Sequence, residues 1–184
     1  MHETDRAPTI APIPDETAAE ITATVPRLPP DWAAHVESGV SHRLGSSHAD
    51  GRPAICRGLA AQARADGRIE VLLHPEVGSD VLAAVAGTRR IAYVASQPGT
   101  NRTLHLKGLD AEAVPVTLAH AELFARCRDR FIARVEYFGF SRETINGSWF
   151  DVGLDQLAGL CFTPCGAWDQ SPGPGAGQAI DLLP

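Results

Sequence analysis

The sequence predicts a mainly β, α+β fold: antiparallel strands closed into a barrel, with one short helix between strands and one long helix. Two turns of the same type, 49–52 and 65–68, both read Ala-Asp-Gly-Arg and stand between strand-like runs. Asp-Gly between such runs is a strong hairpin signal. The glycine patterns GxGxxG and GxxxxGK, typical of nucleotide-binding parallel sheets, are absent from the chain. Hairpin-linked strands with few helices therefore favour a barrel over a doubly wound sheet.

The predicted elements follow in a simple order. A short helix over 31–38 begins at Asp31 as N-cap, after two prolines. Gly78-Ser79-Asp80 starts the helix between strands, over 81–86, and Gly87 ends it. Apolar residues at spacings of three and four predict the long helix over 117–138. Its apolar stripe consists of Leu118, Ala121, Phe124, Phe131, Val135 and Phe138. The predicted strands cover 40–48, 53–64, 69–74, 90–96, 103–116 and 157–163.

Proline and glycine mark the two ends of the domain. Residues 1–30 contain six prolines and predict an arm that forms neither a continuous helix nor a central strand. We assign the barrel domain to 31–168 and a Gly/Pro-rich tail to 169–184. The arm, together with the small strand residues Ala60, Ala61 and Ala63, predicts a face that a second copy covers, and hence a homodimer.

Composition restricts the functional classes. The 184 residues carry a formal charge of −6, which argues against a general nucleic-acid binder but allows a local basic pocket for one phosphate. No apolar run approaches the roughly 20 residues of a membrane helix, and the N-terminus lacks the features of a signal peptide. We therefore expect a cytoplasmic protein with free thiols. Cys161 and Cys165 have the spacing of a metal pair, but no further ligands lie near them in sequence, so we predict no metal site.

Arg57 is the sharpest candidate for a binding residue. On a strand it shares a face with Ile55, Leu59 and Ala61, because alternate side chains point the same way. A guanidinium on an apolar face needs an anionic partner or a route to water. A bidentate phosphate contact, an internal ion pair and a subunit contact all satisfy that need.

Other polar residues form weaker candidates. Thr103, His105 and Lys107 alternate with leucines on one strand, so they line either a ligand or solvent. Ser79 begins a short helix, where free amides attract anions, although an ordinary N-cap has the same appearance. Thr100 and Arg102 follow a Pro-Gly turn, where an arginine is either solvated or available to a phosphate.

Four segments resemble the FMN-binding split-barrel family of pyridoxamine 5'-phosphate oxidase. They read DGRPAICRG at 50–58, RRIAYV at 89–94, RTLHLKG at 102–108 and WDQSPGPGAG at 168–177. Their order and spacing carry the resemblance, which covers about 32–163. The resemblance implies an antiparallel split barrel, homodimeric, with FMN in a groove between the subunits.

The resemblance also implies which residues hold the cofactor. They are Arg57, Thr103 and Lys107. The predicted cofactor-binding set also contains Gly58, Ser79, Thr100 and Arg102. The sequence departs from the family at two places: Ser79-Asp80 stands where the oxidase has a basic pair for the phosphate, and alanines at 60 and 61 surround the position of a second-strand lysine. These departures leave the deazaflavin cofactor F420 and haem open beside FMN.

The sequence leaves three candidate functions open. The first is an FMN-dependent oxidoreductase acting on a small-molecule redox substrate, with catalytic residues unassigned. The second is a haem-binding or haem-handling protein, whose candidate axial ligands are His42, His48, His74 and His105. The third is a non-catalytic dimer whose pocket has degenerated.

Overall fold

A computed structural model describes residues 25–184, so most of the predicted arm lies outside the described residues. Its strands form two antiparallel sheets, one of six strands in the order β10-β9-β6-β5-β1-β2 and one of four in the order β3-β4-β8-β7. The strands are β1 (Ser41–Ser47), β2 (Pro53–Gly58), β3 (Ala60–Ala63), β4 (Ile69–Leu73), β5 (Ile91–Ser96), β6 (Thr103–Gly108), β7 (Glu112–Val114), β8 (Ala158–Phe162), β9 (Gly166–Asp169) and β10 (Gln178–Ala179). The helices are α1 (Pro30–Val36), α2 (Ser79–Thr88), α3 (Ala119–Glu136) and α4 (Arg142–Ile145), followed by a π-helical turn (Asn146–Phe150) and a 3₁₀ turn (Leu154–Gln156).

The predicted α+β fold with an antiparallel split barrel is confirmed. Both Asp-Gly turns connect antiparallel strands, and Gly51 and Gly67 adopt the same left-handed φ of 86°. In each turn the aspartate carboxylate accepts the backbone N–H of the arginine two residues on. The short helix between strands and the long helix also occur, as α2 and α3.

Two predicted strands are each divided between the sheets. The run 53–64 becomes β2 and β3, and the run 103–116 becomes β6 and β7. Each break follows a glycine with no room for a side chain. A Cβ on Gly58 would meet Cβ of His42 at 2.9 Å, and one on Gly108 would meet Cδ2 of Phe162 at 2.6 Å. Glycine thus allows the chain to pass from one sheet to the other at both corners of the barrel.

The core lies between the sheets and extends beyond the smaller one. Tyr93 and Phe162, from different sheets, are fully buried with ring centres 6.2 Å apart. Every residue of β4 is buried, because α3 packs on the far face of the four-stranded sheet. Ala60 and Ala61, expected to help form a subunit face, are fully buried inside this chain. The outer face of the six-stranded sheet keeps exposed side chains such as Arg43, Ile55 and Lys107, although Trp149 covers part of it at Arg57.

Three details differ from the sequence prediction. Leu118 and Phe138 of the predicted helical stripe are exposed, since α3 turns a different face inward. The buried face of α3 consists of His120, Leu123, Phe124, Cys127, Phe131, Ile132 and Val135. Strands β9 and β10 were not predicted. Helix α1 begins at Pro30 with Pro29 as its N-cap, whereas the sequence analysis predicted Asp31 as the N-cap. Among residues 25–184, no helix has the length and apolar character needed to cross a membrane.

Candidate functional site

Strand register places a row of polar and aromatic residues across the outer face of the six-stranded sheet. Residues directly opposite one another on neighbouring strands point to the same side. Arg43 lies opposite Arg57 on one side and Val94 on the other, and Val94 lies opposite His105. The row continues from His105 to Trp168. Inward neighbours such as Leu44, Tyr93 and Leu106 are buried, which assigns the row to the outer face.

This outer face is basic. None of its outward positions on β1, β2, β5, β6, β9 and β10 carries an aspartate or glutamate. Within residues 25–184, Arg43, Arg57, Lys107 and the adjoining Arg90 have no carboxylate within ion-pair distance. In a chain with a net charge of −6, four uncompensated cations on one face form a local attraction for an anion.

Arg57 is held by an aromatic ring. Its Cζ lies 3.1 Å from the ring centre of Trp149, which belongs to the π-helical turn. Burial, together with the positive charge of Arg43, lowers the pKa of Arg57 to about 10. The guanidinium remains protonated at neutral pH and is only partly desolvated, so an anion would find an available partner.

A groove of about 530 Å³ lies beside this row. Its middle is lined by the small residues Gly45 and Ala92, which face each other on neighbouring strands. Exposed Ile55 and Leu109 form apolar parts of the rim, and Lys107 adds a charge. Groove volumes of this size suit cofactor-sized ligands.

Lys107 and His105 lie next to Trp168 on the same face. The Lys107 ammonium is 5.2 Å from the ring centre of Trp168, and the His105 ring centre is 5.5 Å from it. Partial burial, with the charge of Lys107, lowers the pKa of His105 below its ordinary value. His105 is therefore neutral at pH 7 and able to act as an acceptor or ligand.

Arg102, Thr100 and Thr103 lie together at one end of the sheet. Arg102 pairs with the Asp31 carboxylate at 3.0 Å and stacks on Trp32 at 4.1 Å, so its charge is compensated. The hydroxyl of Thr100 accepts the backbone N–H of Arg102, and the hydroxyl of Thr103 donates to the carbonyl of Asn101. These groups are largely occupied by their own chain.

Ser79 lies at the opposite end of β1 from this cluster. Its neighbour Asp80 pairs with Arg52 and His48, residues of the β1–β2 hairpin, and these hydrogen bonds lower the Asp80 pKa. The six steps from Ser41 to Ser47 span roughly 20 Å of strand. Gly78 lies against Cys56 on the inner side of β2, whereas Arg57 points outward. The structure thus brings Arg57 and Lys107 to one face and leaves Ser79 apart from them.

Sequence reasoning missed several residues of this face. Arg43 alternates with Ser41 and Gly45 on the first predicted strand, so the period-two pattern that singled out Arg57 was available for it as well. Trp149 comes from a π-helical turn whose sequence, NGSWF, carries no periodic signal. Trp168 belongs to the unpredicted β9.

The histidines considered as axial ligands differ in their contacts. His42 is fully buried, with Nδ1 2.8 Å from the Tyr93 hydroxyl. His48 bonds to Asp80, and His74 accepts the backbone N–H of Glu76. Within residues 25–184, His105 alone of the four has no hydrogen bond.

Comparison with known proteins adds information on the fold. No protein-family model and no curated protein sequence matches the chain. Among solved structures, HupZ of Group A Streptococcus matches with a TM-score of 0.50 at 10% identity, over 82% of this chain and 99% of that one. HutZ, the heme storage protein of Vibrio cholerae, gives 0.47 at 14% identity, over 78% and 94%. A Clostridium acetobutylicum protein of the pyridoxinephosphate oxidase family gives 0.44 at 15% identity, over 74% and 83%.

The match to HupZ, with a TM-score of 0.50 over 82% of this chain, bears on the fold. Sequence identities this low extend the likeness to the fold alone. The ligand and activity have to be argued from the residues of the outer face.

Proposed function

We propose that this chain binds FMN on the outer face of its six-stranded sheet, between two copies of the chain, and serves as a flavin-dependent oxidoreductase. One observation carries the proposal. Arg90 and Lys107 line a groove of about 530 Å³, and Arg43 and Arg57 lie on the same face of the sheet. Within residues 25–184, none of these four cations has a carboxylate partner. A planar ligand with an anionic end matches that combination of groups.

The residues present fit such a cofactor. Arg43 and Arg57, side by side on neighbouring strands, would hold the phosphate. Gly45 and Ala92 leave space for a flat ring, and Ile55 and Leu109 would shield it from water. Bound FMN supplies the electron transfer, while the chain's residues bind, orient and enclose it.

The direct test is the visible spectrum of the purified protein and a titration with FMN. We expect the purified protein to show flavin absorbance. We also expect replacement of both Arg43 and Arg57 by alanine to weaken FMN binding by about 100-fold or more, because two charged contacts are lost. Arg128→Ala is the matched control, since Arg128 pairs with Asp129 on α3. The same titration with F420 tests the deazaflavin.

Two results would overturn the proposal. A colourless protein that takes up no FMN at 100-fold molar excess rules out the cofactor. FMN binding that is equally strong in the double variant and in Arg128→Ala rules out this face as the site.

Haem binding is a second candidate, and His105 is the observation that favours it. Its imidazole is neutral, free of hydrogen bonds within residues 25–184, and located on the face that carries the cations. Neutral imidazole is a common axial ligand of haem iron, and the neighbouring cations would pair with haem propionates.

A haem titration separates the two candidates. If haem is the ligand, a Soret band appears, shifts or disappears in His105→Ala, and persists in the matched variant His74→Ala. A Soret band of the same position and intensity in both variants excludes His105 as the ligand.

A further inference from the structure

Within residues 25–184, two arginines stack on tryptophans, but they use their N–H donors differently. Arg102 stacks on Trp32 and also donates to Asp31 at 3.0 Å. Arg57 stacks on Trp149 and has no hydrogen bond to a side chain or carbonyl within residues 25–184. Both guanidiniums are therefore fixed by an indole, and only the one at Arg57 keeps its donors free.

The geometry of stacking explains why this difference matters. A guanidinium carries its N–H groups in its own plane, whereas a ring contacts the face of that plane. A stacked tryptophan thus fixes the arginine without using any donor, while a carboxylate would occupy two. Fixing a flexible side chain before binding reduces the entropy lost when a ligand arrives.

Trp149 is itself held in place. Its ring packs on Phe131 with centres 5.1 Å apart, and the next residue, Phe150, is buried against Phe124 and Phe131. The space beside the stack, lined in part by His42, Gly58 and Phe150, has a volume of about 10 Å³. No ring fits there, so a ring cannot approach the guanidinium from the Trp149 side, while the N–H donors on its edge stay available.

We infer that Trp149 is a positioning residue that presents the donor edge of Arg57 to a phosphate monoester. This inference rests on the proposed function, because it assigns the phosphate end of the ligand to Arg57. It adds that the indole raises the affinity for phosphate without touching the ligand, and that the ring end of the ligand gains nothing from it.

The test uses inorganic phosphate and the full chain. The Nε–H resonance of Arg57, assigned through Arg57→Lys, is followed in ¹⁵N NMR spectra as phosphate is added. We expect the resonance to move on titration, and Trp149→Leu to raise the apparent dissociation constant roughly two- to tenfold. Trp149→Phe keeps an aromatic face and retains most of the affinity. Trp32→Leu is the matched control and leaves the Arg57 titration unchanged.

The same variants are then titrated with FMN and with riboflavin, which lacks the phosphate. Weaker FMN binding with unchanged riboflavin binding in Trp149→Leu supports the inference. An Arg57 resonance that does not respond to phosphate in the wild-type protein, or that responds equally in folded Trp149→Leu, overturns it. Failure of the proposed function gives a different pattern: phosphate moves the Arg57 resonance, but neither flavin binds.

Discussion

His42 shows how strongly the barrel interior controls a single residue. Its imidazole is completely buried and contacts the Tyr93 hydroxyl at 2.8 Å. Burial, aided by the nearby charges of His35, Arg43 and Arg57, lowers the pKa of His42 to about 3. The same burial raises the pKa of Tyr93 well above its usual value. Both groups are therefore neutral in the folded protein and form a neutral hydrogen bond behind the basic face.

This depressed pKa predicts acid sensitivity. Unfolded His42 takes up a proton near its ordinary pKa of about 6.5, but folded His42 does not until about pH 3. The unfolded state thus binds more protons in this window, and His42 alone lowers the free energy of unfolding by about 1.4 kcal/mol for each pH unit between about 6 and 3. We expect His42→Asn, which keeps a polar group near Tyr93, to reduce this slope by one proton. Urea unfolding at pH 7, 6, 5 and 4 measures both slopes, and identical slopes would contradict the assignment.

Lys107 offers a chemical probe of the proposed site because the chain contains no other lysine. Its ammonium lies on the outer face, near Trp168 and the groove. We predict that FMN slows acetylation of Lys107, since a ligand in the groove covers the amine. Peptide mass mapping reads the modification, and the chain's α-amino group serves as an internal reference. Equal acetylation rates with and without saturating FMN would place the flavin elsewhere.

At the level of elements, α3 depends on one glycine for its approach to the chain between α1 and β1. Gly39 has a left-handed φ of 82°, and a Cβ there would meet the carbonyl oxygen of Arg130 at 2.5 Å. Arg130 and Arg134 donate to the carbonyls of Glu37 and Ser38, which fixes the helix at the same point. The main chain of α3 therefore packs directly against the main chain at Gly39.

This contact predicts an unequal effect of two similar substitutions. Gly39→Ala combines left-handed strain with a backbone clash and destabilises the fold by more than about 2 kcal/mol. Gly51→Ala has a similar φ of 86° but open space around its Cβ, so strain alone costs it about 1–2 kcal/mol. Chemical denaturation of both variants measures the difference. A Gly39→Ala variant no less stable than Gly51→Ala would show that α3 can move aside.

The elements that sequence could predict are those defined by local chemistry. The Asp-Gly hairpins depend on glycine at positive φ, α2 was predicted from Gly78-Ser79-Asp80 before it and Gly87, and α3 from apolar spacing, so each was found near its observed position. The two corners were missed because Gly58 and Gly108 are required by distant partners, His42 and Phe162. Nothing adjacent to either glycine signals that contact.

The candidate site likewise has features that the sequence could predict and features that it could not. The alternation that placed Thr103, His105 and Lys107 on one face of a strand is observed. Arg57 points to the outer face and has no carboxylate partner among residues 25–184, but its aromatic partner, Trp149, lies 92 positions further along the chain. The compensation of Arg102 by Asp31 depends on the fold in the same way. The sequence next to a charged residue does not indicate which distant residues will contact it in the folded protein.

For the whole molecule, the outer face of the six-stranded sheet favours a second copy as its partner. Ile55 is 75% exposed and Leu109 65% exposed at the rim of the groove. Exposed apolar side chains grouped on a sheet face often mark an association surface. We propose that two chains meet here around a twofold axis and jointly enclose the ligand.

This proposal predicts the oligomeric state. Light scattering at micromolar concentration should give twice the chain mass of 19.5 kDa. Ile55→Glu puts a carboxylate into the contact and should yield the monomer mass. Val77→Glu is the matched control, because Val77 is 68% exposed in the segment before α2, away from this face. A wild-type protein with the monomer mass would show that a second copy does not help to form the site.

The pairing of Arg27 with Leu183 has a consequence for protein engineering. Each residue donates its backbone N–H to the other's carbonyl at 2.8 Å, so residues 27–183 form a nearly closed ring. A circular permutant of residues 27–183 that connects residue 183 to residue 27 through a short linker, and takes its new ends at the exposed tip of the first hairpin beside Gly51, should keep the tertiary contacts between those residues. Such a permuted protein would carry fused reporter domains at the hairpin tip.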